Sequence, residues 1–191
     1  MRFVFVCAAT LSMKLSTLSI CLGLGMAALN LIGLLKPAAF GAAARKLPRS
    51  LPLGYGFMLL GTGWFIWNVK MESLADFEPL KPYLYVLFAG VGVGACVFVT
   101  DFLAARGLAV VMLLLAKAML DAQRWADSEW RLVIAVWAYG LVLAGMWFTA
   151  WPWRLRDALN WATASEQRTR LGSGLRVAFG LFVAALGFTV F

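Results

Sequence analysis

Four stretches of about 20 residues run without one charged side chain: 15–35, 51–69, 82–100 and 132–151. A helix rises 1.5 Å per residue, so about 20 apolar residues span the hydrocarbon core of a bilayer. In lipid every backbone N–H and C=O must be satisfied within the segment, which restricts such runs to helices or closed barrels. Their continuous apolar character, without strict alternation, selects helices. Their ends are marked as well. Lys36-Pro37 closes the first run, Pro52 opens the second, and Pro152 stops the fourth.

Two further segments extend the series. Residues 103–123 are apolar but carry Arg106 and Lys117, with the chain reversing in a tight turn over 101–107. Residues 175–191 form an apolar tail with Arg176 near its start; at about 25 Å it is slightly short for a bilayer and would need local thinning. Residues 153–170 place Leu155, Leu159 and Ala162 on one helical face beneath Arg154, Arg156 and Asp157, as an interfacial amphipathic helix does. Composition agrees: 63% of the 191 residues are hydrophobic and 14% are charged, against about 45–50% and about 25% in soluble domains. The expected fold is an all-α polytopic transmembrane bundle. It has about six spans arranged as three hairpins, in one integral membrane domain over 1–191.

The N-terminus admits two readings. Met13-Lys14-Leu15 resembles a translation start, which would make the preceding residues an artefact or a short extension of the first helix. Leu15–Leu24 before Gly25-Met26-Ala27 also fits a crude signal pattern, but the apolar run continues to Leu35, longer than a signal core of about 7–15 residues.

Lys and Arg set orientation. Lys36, Arg45, Lys46, Arg49, Arg106, Arg154, Arg156, Arg168, Arg170 and Arg176 fall on one side, ten of the 17; Arg2, Lys14, Lys70, Lys81, Lys117, Arg124 and Arg131 fall on the other. The first side is expected to be cytoplasmic, with both termini outside, in a bacterial cytoplasmic (inner) membrane. The short inner-face sequences Arg49-Ser50-Leu51, Arg106-Gly107-Leu108 and Arg176-Val177-Ala178 look alike. This positive-inside bias accounts for them without a duplication. Trp64, Trp67, Trp125, Trp130, Trp147, Trp151, Trp153 and Trp161 gather near span ends, where indoles anchor at the interface.

Functional signals are sparse. The net charge of +8 is scattered between apolar runs, not gathered on a polar face, so nucleic acid is not an expected partner. With no histidine, His-based triads and His-ligated zinc or haem sites are excluded. Cys7, Cys21 and Cys96 lie inside apolar runs without a CxxC spacing. No glycine-rich stretch ends in Lys-Ser/Thr, so no phosphate loop and no cofactor are expected. Glu72 and Asp76 have i, i+4 spacing but no third ligand in view, and read as a solvated loop. No catalytic or metal-binding residue is assigned, and an enzyme is not the favoured class.

Three features remain as candidate sites. Lys117 and Asp121, one turn apart, form a candidate intramembrane ion pair extended by Arg124, unless Lys117 simply snorkels to the headgroups. Arg154 and Arg156 are candidate lipid-phosphate contacts, or simple topology determinants. Gly90 and Gly94 form a GxxxG pair for helix packing, with Gly23–Ala27 and Gly140–Ala144 as similar small pairs. These features suit a non-catalytic structural or accessory subunit. A small transporter or lipid-handling protein is the alternative, and an enzyme acting on a lipid phosphate has least support. Membrane lipids are the expected partners, together with a membrane-protein partner or further copies of the chain.

Overall fold

The computed structural model describes residues 14–191, except Leu74, Trp125 and the side chains of residues 75–77. Met1, Met13, Arg2, Cys7, Trp125 and the Asp76 carboxylate therefore lie outside the described residues. The described chain is helical, with no strand: α1 (Leu15–Leu35), α2 (Pro37–Lys46), α3 (Leu51–Met71), α4 (Lys81–Phe98), α5 (Leu103–Gln123), α6 (Arg131–Ala150), α7 (Trp153–Ala162) and α8 (Glu166–Thr189). Two 3-10 turns, Leu47–Arg49 and Ala75–Leu80, precede α3 and α4.

Five helical segments are long and apolar enough to cross a membrane: Leu15–Leu35, Glu78–Phe98, Leu103–Gln123, Arg131–Ala150 and Glu166–Thr189. This makes the chain an integral membrane protein by length and composition. The remaining expected span, 51–69, does form a 21-residue helix. Gly54, Gly56, Gly61, Gly63, Thr62 and Asn68 dilute its apolar character, and it is not among the five.

Local chemistry explains several boundaries. Pro37 ends α1 and also opens α2, because proline at a first helical position loses no needed N–H. Arg45 and Lys46 sit in the last turn of α2, where they oppose the helix dipole. The reversal after α4 is tighter than the expected 101–107, since Arg106 and Gly107 already belong to α5. Phe102 closes it in the left-handed region, at φ 55°. That conformation costs a non-glycine residue about 1–2 kcal/mol, which the packing of the flanking helices must offset.

The expected continuous amphipathic segment 153–170 is broken at 163–165, so α7 is short. The last span is correspondingly longer than 175–191. The Ser165 hydroxyl accepts from the Arg168 N–H at 3.2 Å and Glu166 lies in the first turn, so α8 starts nine residues earlier than expected. Its 24 residues measure about 36 Å, enough for a bilayer without thinning.

The described residues group into two compact units. The first comprises 14–46, 115–142 and 156–191. Within it α1 and α8 run antiparallel along a seam of small residues: Gly187 lies beside Ser16 and Ile20, Gly23 beside Gly180 and Ala184, and Gly33 beside Ser173. A core of Leu15, Leu18, Ala116, Met119, Ile134, Ala138 and Val183 surrounds one end, and Trp137 meets Phe179 edge-on at 5.3 Å.

The second unit comprises 47–114 and 143–155. Phe65 contacts Phe88 at 4.6 Å, Thr62 covers Gly92, and Met58 clusters with Cys96, so α3 and α4 are antiparallel. Gly54 abuts Leu103 and Ala104, Gly61 abuts Val110, and Gly107 abuts Phe57 and Met58, which makes α3 and the first half of α5 parallel.

Candidate functional site

The ion cluster on α5 is local in origin. Residues four apart stand one above the other on a helix, and Lys117 Nζ lies 2.7 Å from Asp121 Oδ2. Arg124 Nη2 stands 3.8 Å from the other carboxylate oxygen, giving a Lys–Asp–Arg row that runs from the last turns of the helix to the residue just past its end. The neighbouring Ala116 and Met119 are fully buried, so the row occupies a different face of α5 from the core. The Lys117 and Asp121 side chains keep 41% and 47% of their surface exposed. Cations near a helix C-terminus also meet a favourable dipole. The row can neutralise and position charge near one end of the helix. Among the described residues no three His, Cys, Asp or Glu side chains are placed to hold a metal.

The two arginines expected to contact lipid phosphate differ in state. Arg156 donates from Nε and Nη2 to the same Asp157 oxygen, at 3.0 and 2.9 Å, and so is already paired with a carboxylate. Arg154 is exposed and makes no ion pair among the described residues.

A third feature escapes sequence reading. Arg45 Nη1 donates to the Thr163 carbonyl at 2.9 Å and is 3.4 Å from its hydroxyl, while that hydroxyl donates to the Leu159 carbonyl at 2.7 Å. The guanidinium thereby satisfies a carbonyl left over at the end of α7. Arg168 lies over the Trp161 ring at 5.7 Å. These contacts hold the elbow between α7 and α8 against α2. No local sequence signal links residues 45 and 163, so only the tertiary fold reveals the contact.

Comparison with known proteins brings nothing further. No protein-family model, curated protein or solved structure matches the chain.

Glycine usage separates into packed and open positions. In α4 the packed glycine is Gly92, against Thr62, and not the expected pair. A side chain at Gly90 would meet nothing within 4 Å, and one at Gly94 only its own helix's Phe98 at 4.0 Å. Gly140 is likewise open, whereas Gly23 and Ala27 do pack, both against Gly180. Among the described residues Gly90 and Gly94 thus form no helix crossing. The reason is rotational: Gly92 lies two residues from each, on another side of α4. Trp67, Trp130, Trp147, Trp151, Trp153 and Trp161 are all exposed, as aromatic anchors facing lipid headgroups are.

Proposed function

We propose that the protein is a non-catalytic accessory subunit of a bacterial cytoplasmic membrane, which packs against another membrane protein through the open face of α4. One observation carries this reading: Gly90 and Gly94 sit one turn apart, and among the described residues no other helix lies against either of them. Each glycine costs a helix about 1 kcal/mol relative to alanine. Lipid chains gain nothing from that, whereas a second helix can approach closely over such a pair. Tyr83, Val86, Leu87, Val91, Val97 and Phe98 are exposed on the same helix, and only 11% of its 18-residue apolar stretch is buried among the described residues.

Photo-crosslinking in native membranes tests the proposal. A crosslinker at Val86 or Val91 should yield one discrete protein adduct, lost in Gly90→Leu and Gly94→Leu variants that still insert and purify. Only lipid adducts, or an adduct indifferent to both substitutions, would overturn it. An adduct of twice the chain mass would replace the accessory role by self-association.

A further inference from the structure

Arg106 differs from every other described arginine. Arg45, Arg124, Arg131, Arg156 and Arg168 each have a carbonyl, carboxylate or aromatic partner. Arg49, Arg154, Arg170 and Arg176 have none but are exposed. Arg106 is half-buried, and its Nε is enclosed with no hydrogen-bond partner. The nearest acid in sequence, Asp101, is exposed and stands in no ion pair among the described residues. Of the guanidinium nitrogens only Nε is both enclosed and unpartnered, so the terminal nitrogens are left to take an external acceptor.

We propose that Arg106 binds a phosphate group, carried by an anionic membrane lipid or by free phosphate, at the entry of α5. The proposal does not depend on the partner reading of α4. A partly desolvated cation without a counter-ion is unfavourable, and its attraction for an anion grows as water is withdrawn. The position compounds the problem, because Arg106 lies in the first turn of α5, where the helix dipole repels cations and favours anions. An anion at the terminal nitrogens answers both terms. The planar fork of arginine fits phosphate oxygens, and phosphate is the anionic group at a membrane surface. The first turn of a spanning helix lies at headgroup level. The parallel packing of α3 and α5, with Gly54 against Ala104, brings exposed Arg49 to the same end of the unit as a secondary cation. The sequence pointed to Arg154 and Arg156; the structure pairs Arg156 with Asp157 and leaves Arg106 half-buried, with an enclosed Nε and no ion pair among the described residues.

The test uses the full chain, delipidated in a neutral maltoside. Native mass spectrometry measures retention of phosphatidylglycerol, with phosphatidylcholine as the zwitterionic control, and thermal stability is followed with either lipid or with inorganic phosphate. The parent should prefer phosphatidylglycerol, and Arg106→Gln should bind it about tenfold more weakly, the worth of one charge-assisted contact. Arg49→Gln should lose much less. Protection by the lipid alone identifies a lipid headgroup; equal protection by inorganic phosphate identifies the free anion. Unchanged binding in Arg106→Gln, or an equal loss in Arg49→Gln, overturns the site in favour of diffuse charge attraction. If Arg106→Gln cannot be purified, Arg106→Lys replaces it. That variant keeps the charge but loses the fork, and binding as strong as the parent's would sink the proposal.

Discussion

Replacing Gly23 by alanine should loosen the α1–α8 seam, and Gly25 in the same helix supplies the internal control. A Cβ at Gly23 would collide with the Gly180 carbonyl oxygen and come within 2.7 Å of the Ala184 backbone nitrogen. Both obstacles are backbone of a well-formed helix, so neither can rotate aside as a flexible side chain would. Relief requires α1 and α8 to move apart along a seam that also holds Gly180 against Ala27 and Gly187 against Ile20. Overpacking of this kind costs about 1–3 kcal/mol. Alanine regains up to about 1 kcal/mol of helix propensity in water, and this gain is common to both positions. At Gly25 the added methyl meets nothing within 4 Å. The difference between Gly23→Ala and Gly25→Ala therefore isolates the packing term, and Gly25→Ala should be neutral or mildly stabilising. Unfolding in mixed micelles of maltoside and dodecyl sulfate, followed by circular dichroism, measures both. Equal stabilities of the two variants would refute close packing of α1 on α8 at Gly23.

Two further expectations follow from charge. Because Asp121 lies in the last turn of α5 and Lys117 can extend toward the headgroups, where both side chains, over 40% open, meet water, a double-mutant cycle with leucine at both positions should give a coupling below about 1 kcal/mol in detergent. A coupling above about 3 kcal/mol would instead mark a desolvated pair of the buried kind. The distribution of Lys and Arg further predicts that reporter fusions after Arg45 and Arg168 read cytoplasmic and those after Asp76 and Asp127 external; the inverse pattern would reverse the assigned orientation.

What the sequence determined is the set of long apolar helices, whereas the short α2 was not read from it. Long uncharged runs bounded by Pro and charge leave the backbone no alternative in lipid, and Leu103–Gln123 forms with the bounds read from the sequence. The Lys117–Asp121 pair was legible too, because i, i+4 neighbours are fixed by helix geometry alone. The α7–α8 break carried a local signal, Ser165 followed by Glu166, which the longer amphipathic pattern masked. Only the tertiary structure decided which faces meet. Gly92 is covered while Gly90 and Gly94 are open, Arg45 reaches Thr163 across 118 residues, and Arg106 is half-enclosed without a partner. In water a buried face announces itself as an apolar stripe at helical period. In a bilayer the solvent is as apolar as the interior, so a packed face and a lipid-facing one can be built from the same residues, and close approach of backbones, not hydrophobicity, selects between them.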